Sequence, residues 1–329
     1  AILVLTKSRK YIFICLFFFI ILIPIYFHGI FYKEKFNNAD RIIYDYKIRI
    51  IGSDISLNRF YSNDETFSIL EELIKISNPE ANEKTIFVWP EGITPNISQE
   101  ELKEYNWLLN EKFNKNHLFI IGTNNHSITN GSKNFFNSFS VYDHKLNLLH
   151  SYNKIKLVPF GEFLPFENIL KSIGLRSLTN NHQSFSSGKK REIIEIKQQN
   201  FSLKILPLIC YEIIYSGELF EESDFDLIVN ISEDGWFGNS IGPKQHFDHS
   251  IFRAIENGKY LIRSANNGSA GIINPIGVIE QKVNYGESGY IDLKENTKIQ
   301  PTIFSKYGNK IFGLLILLYI FLIFSFNRI

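Results

Sequence analysis

Residues 201–210 read FSLKILPLIC, an apolar run that ends in a cysteine. Two other apolar runs are each followed by a chemically reactive side chain of their own. TIFVWPE (85–91) ends in Glu91, and LNLLHSYN (146–153) is followed by Lys154. Short apolar runs that are bounded by turn residues are typical of buried β-strands. The sequence therefore predicts three strands whose carboxyl ends carry a thiol, a carboxylate and an amine.

Helical and strand patterns alternate along the rest of this region. Apolar spacing predicts a helix over 64–77, with Asp64 as its N-cap, and a capping box of Ser98 and Glu101 opens a second predicted helix over 98–115. Further predicted elements are strands at 47–53, 117–123, 135–143, 192–197 and 226–232, a helix at 242–258, and four closing strands within 259–293. This β-α-β order predicts an α/β layered fold, in which ligands gather beyond the carboxyl ends of the strands.

Two uncharged apolar blocks flank this region, YIFICLFFFIILIPIYF at 11–27 and IFGLLILLYIFLIFSF at 311–326. Crossing a bilayer core of ~30 Å takes about 20 apolar residues, with a lower limit near 17. We therefore predict two membrane helices. The resulting segments are a flank (1–10), a transmembrane helix (11–30), an extramembrane domain (33–308) and a C-terminal transmembrane helix (310–327).

Basic residues lie outside both apolar blocks, with Lys7, Arg9 and Lys10 before the first and Arg328 after the second. The positive-inside rule then places both chain ends in the cytoplasm and the domain on the far side of the membrane. Two alternatives stay open: a signal peptide for the first block, although no small-residue cleavage pattern follows it, and a buried core helix for the second. The chain begins with Ala and contains no Met, so we expect a fragment or a processed chain.

Charge and cysteine content exclude several functional classes. The 329 residues include 35 Lys and Arg against 34 Asp and Glu, so no bulk positive charge favours a nucleic-acid partner. Two cysteines, one of them in an apolar block, cannot build a disulfide framework or a four-cysteine zinc site. His246 and His249 are three residues apart on a predicted helix, where packing or capping is more common than metal binding. We therefore predict that His246 and His249 do not bind a metal.

Glu91, Lys154 and Cys210 have complementary chemistry. A thiolate is the reactive form of cysteine, and a nearby cation stabilises it. Glu91 could accept the thiol proton as a general base, while Lys154 could stabilise the thiolate and then the oxyanion of a tetrahedral intermediate. The cysteine would carry a covalent acyl group between two acyl-transfer steps. Taken singly, each residue has an ordinary alternative: an inert buried thiol, a turn glutamate and a solvated lysine.

Longer strings surround these three residues and occur in a characteristic order. They are VWPEGITP (88–95), YNKIKLVPFGEFLPF (152–166), LICYEIIY (208–215), NISEDGWFGNSIGPKQHF (230–247) and RSANNGSAGIINPIG (263–277). Together, over about residues 40–326, they closely resemble the periplasmic domain of the bacterial apolipoprotein N-acyltransferases, a membrane family of the nitrilase superfamily. Glu, then Lys, then Cys is the catalytic order of that superfamily.

The resemblance implies roles for individual residues. Glu91 matches the general base of the family, Lys154 its catalytic lysine and Cys210 its nucleophile. Glu162, in the PFGE string, matches a second essential acid that positions Lys154 or Cys210. Tyr211 and Glu212 match residues that shape the site beside the nucleophile. Trp236 and Phe237 match a mobile loop near the entrance of the site.

The resemblance also implies a fold, an activity and a location. The fold is a nitrilase-like αββα four-layer sandwich flanked by transmembrane helices, in the bacterial inner membrane with the catalytic domain on the periplasmic side. The family moves an acyl chain from a phospholipid such as phosphatidylethanolamine to the cysteine as a thioester, and then to the N-terminal amine of diacylglyceryl-cysteine in an apolipoprotein. No cofactor is implied, and we expect a monomer. The loops at 159–190 and 234–243 are predicted to reach toward the lipid headgroups.

The chain departs from the family pattern in two places. The segment IGSDISLNRFY (51–61) lacks the Gln-rich stretch and the Lys-Trp pair that relatives commonly carry, and Glu233-Asp234 stands where an Asn-rich pair is usual. Family members also have several more membrane helices before the first block. Two other functions therefore stay open: a membrane-tethered C–N hydrolase (an amidase or nitrilase), and a non-catalytic membrane module that binds lipoproteins or envelope partners.

Overall fold

The computed structural model describes residues 9–61, 66–129, 131–166, 184–198, 201–219 and 224–326. The chain divides into two compact units, residues 1–40 and 41–329. The helices are α1 (Arg9–Asn37), α2 (Thr66–Ser77), α3 (Asn106–Leu109), α4 (Gly242–Asn257), α5 (Ile303–Tyr307) and α6 (Lys310–Phe326). The strands are β1 (Arg41–Ser53), β2 (Thr85–Val88), β3 (His117–Thr129), β4 (Ser132–Asp143), β5 (Leu148–Asn153), β6 (Ile194–Gln198), β7 (Phe201–Ile209), β8 (Leu227–Glu233), β9 (Tyr260–Asn266), β10 (Ala270–Ile273), β11 (Ile279–Val283) and β12 (Gly289–Thr297).

Nine of the twelve described strands form one continuous hydrogen-bonded path in the order β5-β4-β3-β2-β1-β9-β8-β7-β6. Off this path, β12 pairs with β1, and β10 pairs with β9 and β11. The six central strands, from β3 to β7 along this path, are all parallel. The two halves of the path join where Gly52 and Ser53 of β1 pair with Ala265 and Asn266 of β9. Because the central strands are parallel, their carboxyl ends meet at one edge, and the residues that follow them share that edge.

Each half of the sheet is covered by helices through its own apolar cluster. On one half, α2 buries Ile69, Leu70, Leu73 and Ile74, at the spacing of one helix face, against β1 to β3. On the other half, Phe247 and Ala254 of α4 pack with residues of β7, β8 and β9. This arrangement confirms the predicted α/β class.

Two predicted elements differ from the structure. The capping box forms, because the Ser98 N–H donates to Glu101 Oε2 at 2.6 Å and the Glu101 N–H donates to Ser98 Oγ at 3.3 Å. The helix predicted over 98–115 is wrong in length, since a 3₁₀ turn over Glu101–Tyr105 leads only into the four residues of α3. The asparagines that follow make turns instead: the His117 N–H donates to the Asn114 carbonyl, and this turn feeds the chain into β3.

Strand β3 is also longer than predicted, because it continues six residues past Thr123 to Thr129, and these residues pair with β4. The added residues are mostly polar, so they carry no strand signal in the sequence. The predicted N-cap Asp64 and residues 167–183 of the predicted loop 159–190 lie outside the described residues.

The two apolar blocks both form helices, α1 and α6, as predicted. Their membrane-spanning character is not confirmed. Among the described residues, no helix is both long enough and apolar enough to cross a membrane. Both helices expose large apolar side chains, among them Phe18 and Phe19 in α1 and Leu317 and Phe321 in α6.

Candidate active site

Glu91 lies just beyond the end of β2, in a position that depends on a neighbouring glycine. A Cβ atom at Gly122 of β3 would come within 2.6 Å of Glu91 Cα, so only glycine lets the two backbones approach this closely. The Glu91 carboxylate is buried and fully engaged: Oε1 accepts from Asn137 Nδ2 at 2.6 Å, and Oε2 accepts from the Glu233 backbone N–H at 3.0 Å. The general-base candidate is therefore held on both oxygens.

Lys154 follows β5 and is almost completely buried. Its backbone N–H donates to the Asn137 carbonyl at 2.9 Å, and its Nζ lies 2.9 Å from Glu162 Oε1 and 3.4 Å from Glu91 Oε1. Burial opposes the charged form, but the two carboxylates together outweigh it and hold the pKa of Lys154 well above its ordinary value. The structure thus places an ammonium ion between two acids.

Glu162 completes this group from the loop that follows Lys154. Its Oε2 accepts from the Val158 backbone N–H at 2.8 Å, which closes a tight turn, and its Oε1 accepts from Asn137 Nδ2 at 3.0 Å. Of the two partners expected for this acid, the contact formed is with Lys154. Asn137, which bridges both carboxylates, was missed; β4 contains several other polar residues, so nothing in the sequence sets this one apart.

Cys210 immediately follows β7 and opens a 3₁₀ turn over Cys210–Ile214. Its φ is +47°, in the left-handed region that a side chain with a Cβ rarely adopts, so the backbone here is strained. Its Sγ lies 4.0 Å from the Glu233 carbonyl oxygen. Burial raises the pKa of this thiol, the Glu91 charge raises it further, and Lys154 opposes both. The resting sulfur is therefore protonated and needs a base.

Glu212 is completely buried and joins the Cys210 turn to the Lys154 segment. Its Oε2 accepts from the Ile209 N–H at 2.9 Å, while its Oε1 accepts from the Ile155 N–H at 3.0 Å and from the Tyr152 hydroxyl at 2.6 Å. It reaches Lys154 and Cys210 through their backbone neighbours Ile155 and Ile209. The shaping role of Glu212 stays a prediction. Tyr211 makes its described ring contact outside the group, with Tyr215 at 5.7 Å between ring centroids.

Trp236 and Phe237 form a short 3₁₀ turn after β8 and are 55% and 40% exposed. The Trp236 ring packs on Phe60 with centroids 4.8 Å apart, and the Phe237 ring lies 5.2 Å from that of His246. Neither ring belongs to the buried group of acids and lysine. Their predicted role in a mobile loop near the entrance stays a prediction.

A second buried charge cluster, which was missed, supports Cys210 from the other side. Arg263 Nη2 donates to both oxygens of Asp234, each at 2.8 Å, and His246 Nδ1 lies 2.8 Å from Asp234 Oδ1. The Nε2 of His246 lies 3.2 Å from the Cys210 carbonyl oxygen. Burial would raise the pKa of Asp234, but Arg263 and His246 lower it to about 2. Among the described residues, no group of His, Cys, Asp and Glu is arranged to hold a metal ion.

Comparison of the sequence with known protein families identifies the family of this chain. Residues 57–294, which include all eight predicted site residues, match the carbon-nitrogen hydrolase family. The chain belongs to the carbon-nitrogen hydrolase family. The nitrilase-type fold predicted from the sequence is thereby confirmed, while its four-layer arrangement stays a prediction.

Curated relatives of this chain confirm the resemblance seen in the sequence. It is 35% identical over 272 residues to the apolipoprotein N-acyltransferase of Rickettsia prowazekii, covering 80% of this chain and 52% of that protein. It is 31% identical over 274 residues to the enzyme of the same name from Bradyrhizobium diazoefficiens, covering 80% of this chain and 50% of that protein. The chain thus spans about half the length of these relatives.

Solved structures support the same fold at much lower identity. An amidase mutant from Nesterenkonia sp. AN1, with the acetamide moiety of fluoroacetamide covalently added at its active-site cysteine, matches with a TM-score of 0.51. That match has 12% identity and covers 81% of this chain and 95% of the amidase. XC1258 from Xanthomonas campestris, a CN-hydrolase superfamily protein, has a TM-score of 0.50 and 14% identity over 82% of this chain and 94% of its own. At these identities the likeness concerns the fold alone.

Proposed function

We propose that this protein is a phospholipid:apolipoprotein N-acyltransferase that works through a thioester on Cys210. One observation carries the proposal. A buried ammonium, Lys154, is shared by Glu91 and Glu162 at the same sheet edge as the strained Cys210. Curated relatives that match this region carry the name apolipoprotein N-acyltransferase, which supports the substrate class.

In the first half-reaction, Glu91 removes the proton from Cys210 Sγ, and the sulfur attacks the ester carbonyl carbon of a phospholipid acyl chain. Lys154 stabilises the negative oxygen of the tetrahedral intermediate, because its ammonium is already charged and desolvated. The carbon–oxygen ester bond then breaks. The departing lysophospholipid oxygen takes the proton from Glu91, which leaves a thioester on Cys210 and restores the carboxylate.

In the second half-reaction, the free α-amino group of a diacylglyceryl-cysteine attacks the thioester carbon. Glu91 accepts a proton from the attacking nitrogen, the carbon–sulfur bond breaks, and the proton returns to the leaving sulfur. An amide replaces the thioester and the thiol is regenerated. Both half-reactions use the same base and the same oxyanion stabiliser, so one buried group serves two substrates in turn.

The proposed substrates are lipids, and several features favour a site at the inner membrane of a bacterium. Helices α1 and α6 carry exposed apolar side chains that would anchor residues 33–308 on the periplasmic side, with residues 1–10 in the cytoplasm. The exposed rings of Phe160, Phe166 and Trp236 would contact the headgroup region. The proposed enzyme acts as a monomer.

The αββα arrangement is part of the same proposal. It is supported by Tyr46 of β1, whose hydroxyl donates to the Ser202 carbonyl of β7 at 2.8 Å and whose ring lies 5.2 Å from Phe201. These contacts connect β1 in one half of the path with β7 in the other, as expected if the two halves form the inner layers.

The acyl-enzyme is the species that tests the proposal. The protein in detergent is incubated with phosphatidylethanolamine, and the mass of the Cys210 peptide is measured before and after neutral hydroxylamine, which cleaves thioesters. We expect an acyl mass on Cys210 that disappears with hydroxylamine and that transfers to the amine of a diacylated lipopeptide. Cys210→Ser should abolish the thioester with an unchanged melting temperature, while the matched variant Cys15→Ser should retain it.

The other outcomes assign the alternatives. An acyl group that leaves only to water, never to the lipopeptide amine, would assign a hydrolase of the amidase or nitrilase type. A folded protein that never takes an acyl group on Cys210 would assign a non-catalytic binding module.

A further inference from the structure

Arg59 lies in a 3₁₀ turn over Leu57–Phe60, within the segment that departs from the family pattern, and its side chain is completely buried. Its guanidinium is used in three directions. Nε donates to the Gly92 carbonyl at 3.0 Å, Nη1 donates to the Ser56 carbonyl at 2.8 Å, and Nη2 donates to the Glu233 carboxylate. Arg59 therefore binds both Gly92, the residue that follows Glu91, and the Glu233 side chain.

Glu233 belongs to the second departure from the family pattern, and it too is buried. Its carboxylate accepts from Arg59, from Asn266 Nδ2 at 2.7 Å and from the Gly235 N–H at 2.7 Å. Its backbone faces the catalytic group: the N–H donates to Glu91 Oε2 at 3.0 Å, and the carbonyl oxygen lies 4.0 Å from Cys210 Sγ. The Glu233 side chain is thus fixed by these hydrogen bonds, while its backbone contacts Glu91 and Cys210.

The two departures from the family pattern therefore meet in one ion pair. A buried carboxylate or guanidinium without its partner is strongly destabilising, so the folded protein keeps both residues in the pair. The pair holds Glu91 from two sides, through Gly92 on its own loop and through the Glu233 amide on β8. Gly92 itself has φ +61°, and a Cβ there would meet the Phe60 ring at 3.0 Å, so the turn that carries Arg59 also packs directly on this loop.

We propose that Arg59 and Glu233 are positioning residues that orient the Glu91 carboxylate for proton transfer from Cys210. The inference rests on the proposed function in one respect, the assignment of Glu91 as the general base. It adds that the 51–61 segment, which lacks the Lys-Trp of its relatives, contributes to catalysis through an ion pair with β8 and not through contact with substrate.

Alkylation of Cys210 by iodoacetamide tests this positioning without any lipid. The rate is measured across a range of pH in a Cys15→Ser background for the parent and for Glu233→Gln, Arg59→Met, Arg59→Lys and Glu91→Gln. A misoriented base accepts the proton poorly, so we expect the rate near neutral pH to fall about tenfold in Glu233→Gln and Arg59→Met. Arg59→Lys keeps a positive charge opposite Glu233 and should recover part of the loss.

A double variant separates positioning from general loosening of the fold. If Glu233 acts through Glu91, adding Glu233→Gln to Glu91→Gln should cause no further loss of rate, because the two effects are coupled. The matched control is Arg49→Met, which removes another buried arginine that grips a carboxylate, Asp292, and two backbone carbonyls, but contacts no residue of the group. Its alkylation profile should stay within twofold of the parent.

Each contrary outcome overturns the inference. Folded Glu233→Gln and Arg59→Met proteins that alkylate within twofold of the parent would do so, as would an equal loss in Arg49→Met or a full further loss in the Glu91→Gln background. Should Arg59→Met fail to fold, the milder Glu233→Gln decides the question. Because iodoacetamide needs neither phospholipid nor lipopeptide, a protein that shows the expected alkylation pattern but forms no acyl-enzyme refutes the proposed function alone.

Discussion

Two buried cation–carboxylate clusters lie at the carboxyl edge of the sheet, and they are built differently. In the first, the Lys154 ammonium contacts two carboxylates, Glu162 at 2.9 Å and Glu91 at 3.4 Å. In the second, the Arg263 guanidinium donates to both oxygens of one carboxylate, Asp234, at 2.8 Å each. The first cluster has an excess of negative charge around a single ammonium, whereas the second is a tight one-to-one ion pair with His246 beside it.

The difference indicates that the first cluster takes part in the reaction and that the second stabilises the fold around it. An ammonium is a compact point charge on a flexible stem, so Lys154 can turn from its carboxylates toward a developing oxyanion. A guanidinium is a planar fork whose geometry is locked by bidentate contacts. Both clusters act on the Cys210 thiol, whose pKa is raised by burial and by Glu91, lowered by Lys154 and raised by Asp234. The second cluster also contacts the Cys210 carbonyl oxygen through His246. We expect the first cluster to control rate and the second to control stability.

The largest expected effect is on rate, from Lys154→Met. Loss of the ammonium leaves the oxyanion without its charge partner and forces Glu91 and Glu162 to repel each other. We expect acyl-enzyme formation to slow by about 10⁴-fold, which corresponds to about 5.5 kcal/mol in the activation barrier. Single-turnover labelling of Cys210 with a phospholipid of defined acyl chain measures this rate.

Lys47→Met is the matched control for that experiment. Lys47 is also buried and paired with acids, Glu80 and Glu83, but it contacts neither Glu91 nor Glu162. Its rate should stay within about twofold of the parent. A Lys154→Met rate within tenfold of the parent would remove Lys154 from the mechanism and abolish the contrast between the clusters.

The next effect is on stability, from Arg263→Met. This substitution leaves the Asp234 carboxylate buried without its guanidinium, which typically costs about 3 to 5 kcal/mol. Urea unfolding should therefore show that loss in the free energy of unfolding, while the folded fraction forms acyl-enzyme within about tenfold of the parent rate. A stably folded variant that loses rate as severely as Lys154→Met would show that both clusters serve the chemistry directly.

The smallest effect concerns pH and again belongs to the second cluster. The pKa of Asp234 is about 2 in the folded protein, below its ordinary value of about 3.9. Because folding favours the carboxylate, its contribution is fully present above about pH 4 and is lost as the pH falls toward about 2, a change of about 2.5 kcal/mol. Asp234→Asn should show a correspondingly weaker loss of stability in urea unfolding between about pH 5 and pH 2.5. Equal pH dependence in both proteins would contradict the assignment.

Much of the first cluster could be predicted from the sequence. Glu91 and Cys210 follow parallel strands, whose carboxyl ends meet at one edge. Lys154 follows β5, which pairs antiparallel with β4 and therefore runs in the same direction as β3, so its carboxyl end reaches that edge too. The end of helix α4 could also be predicted. Gly258 ends the predicted helix, and it adopts the left-handed conformation that is typical of a helix C-terminus. The family strings added Glu162 and the residues beside the nucleophile.

Only the tertiary structure decided the second cluster and the Arg59–Glu233 pair. Asp234, His246 and Arg263 lie on three different elements, and Arg59 and Glu233 are 174 residues apart. Nothing in the sequence around any of these residues distinguishes a buried partner from an exposed charge. Periodicity along a strand or helix reports which face is buried, because neighbours in sequence share that environment. The pairing of charges across 174 residues depends instead on how strands from the two halves of the sheet join, which no local pattern encodes.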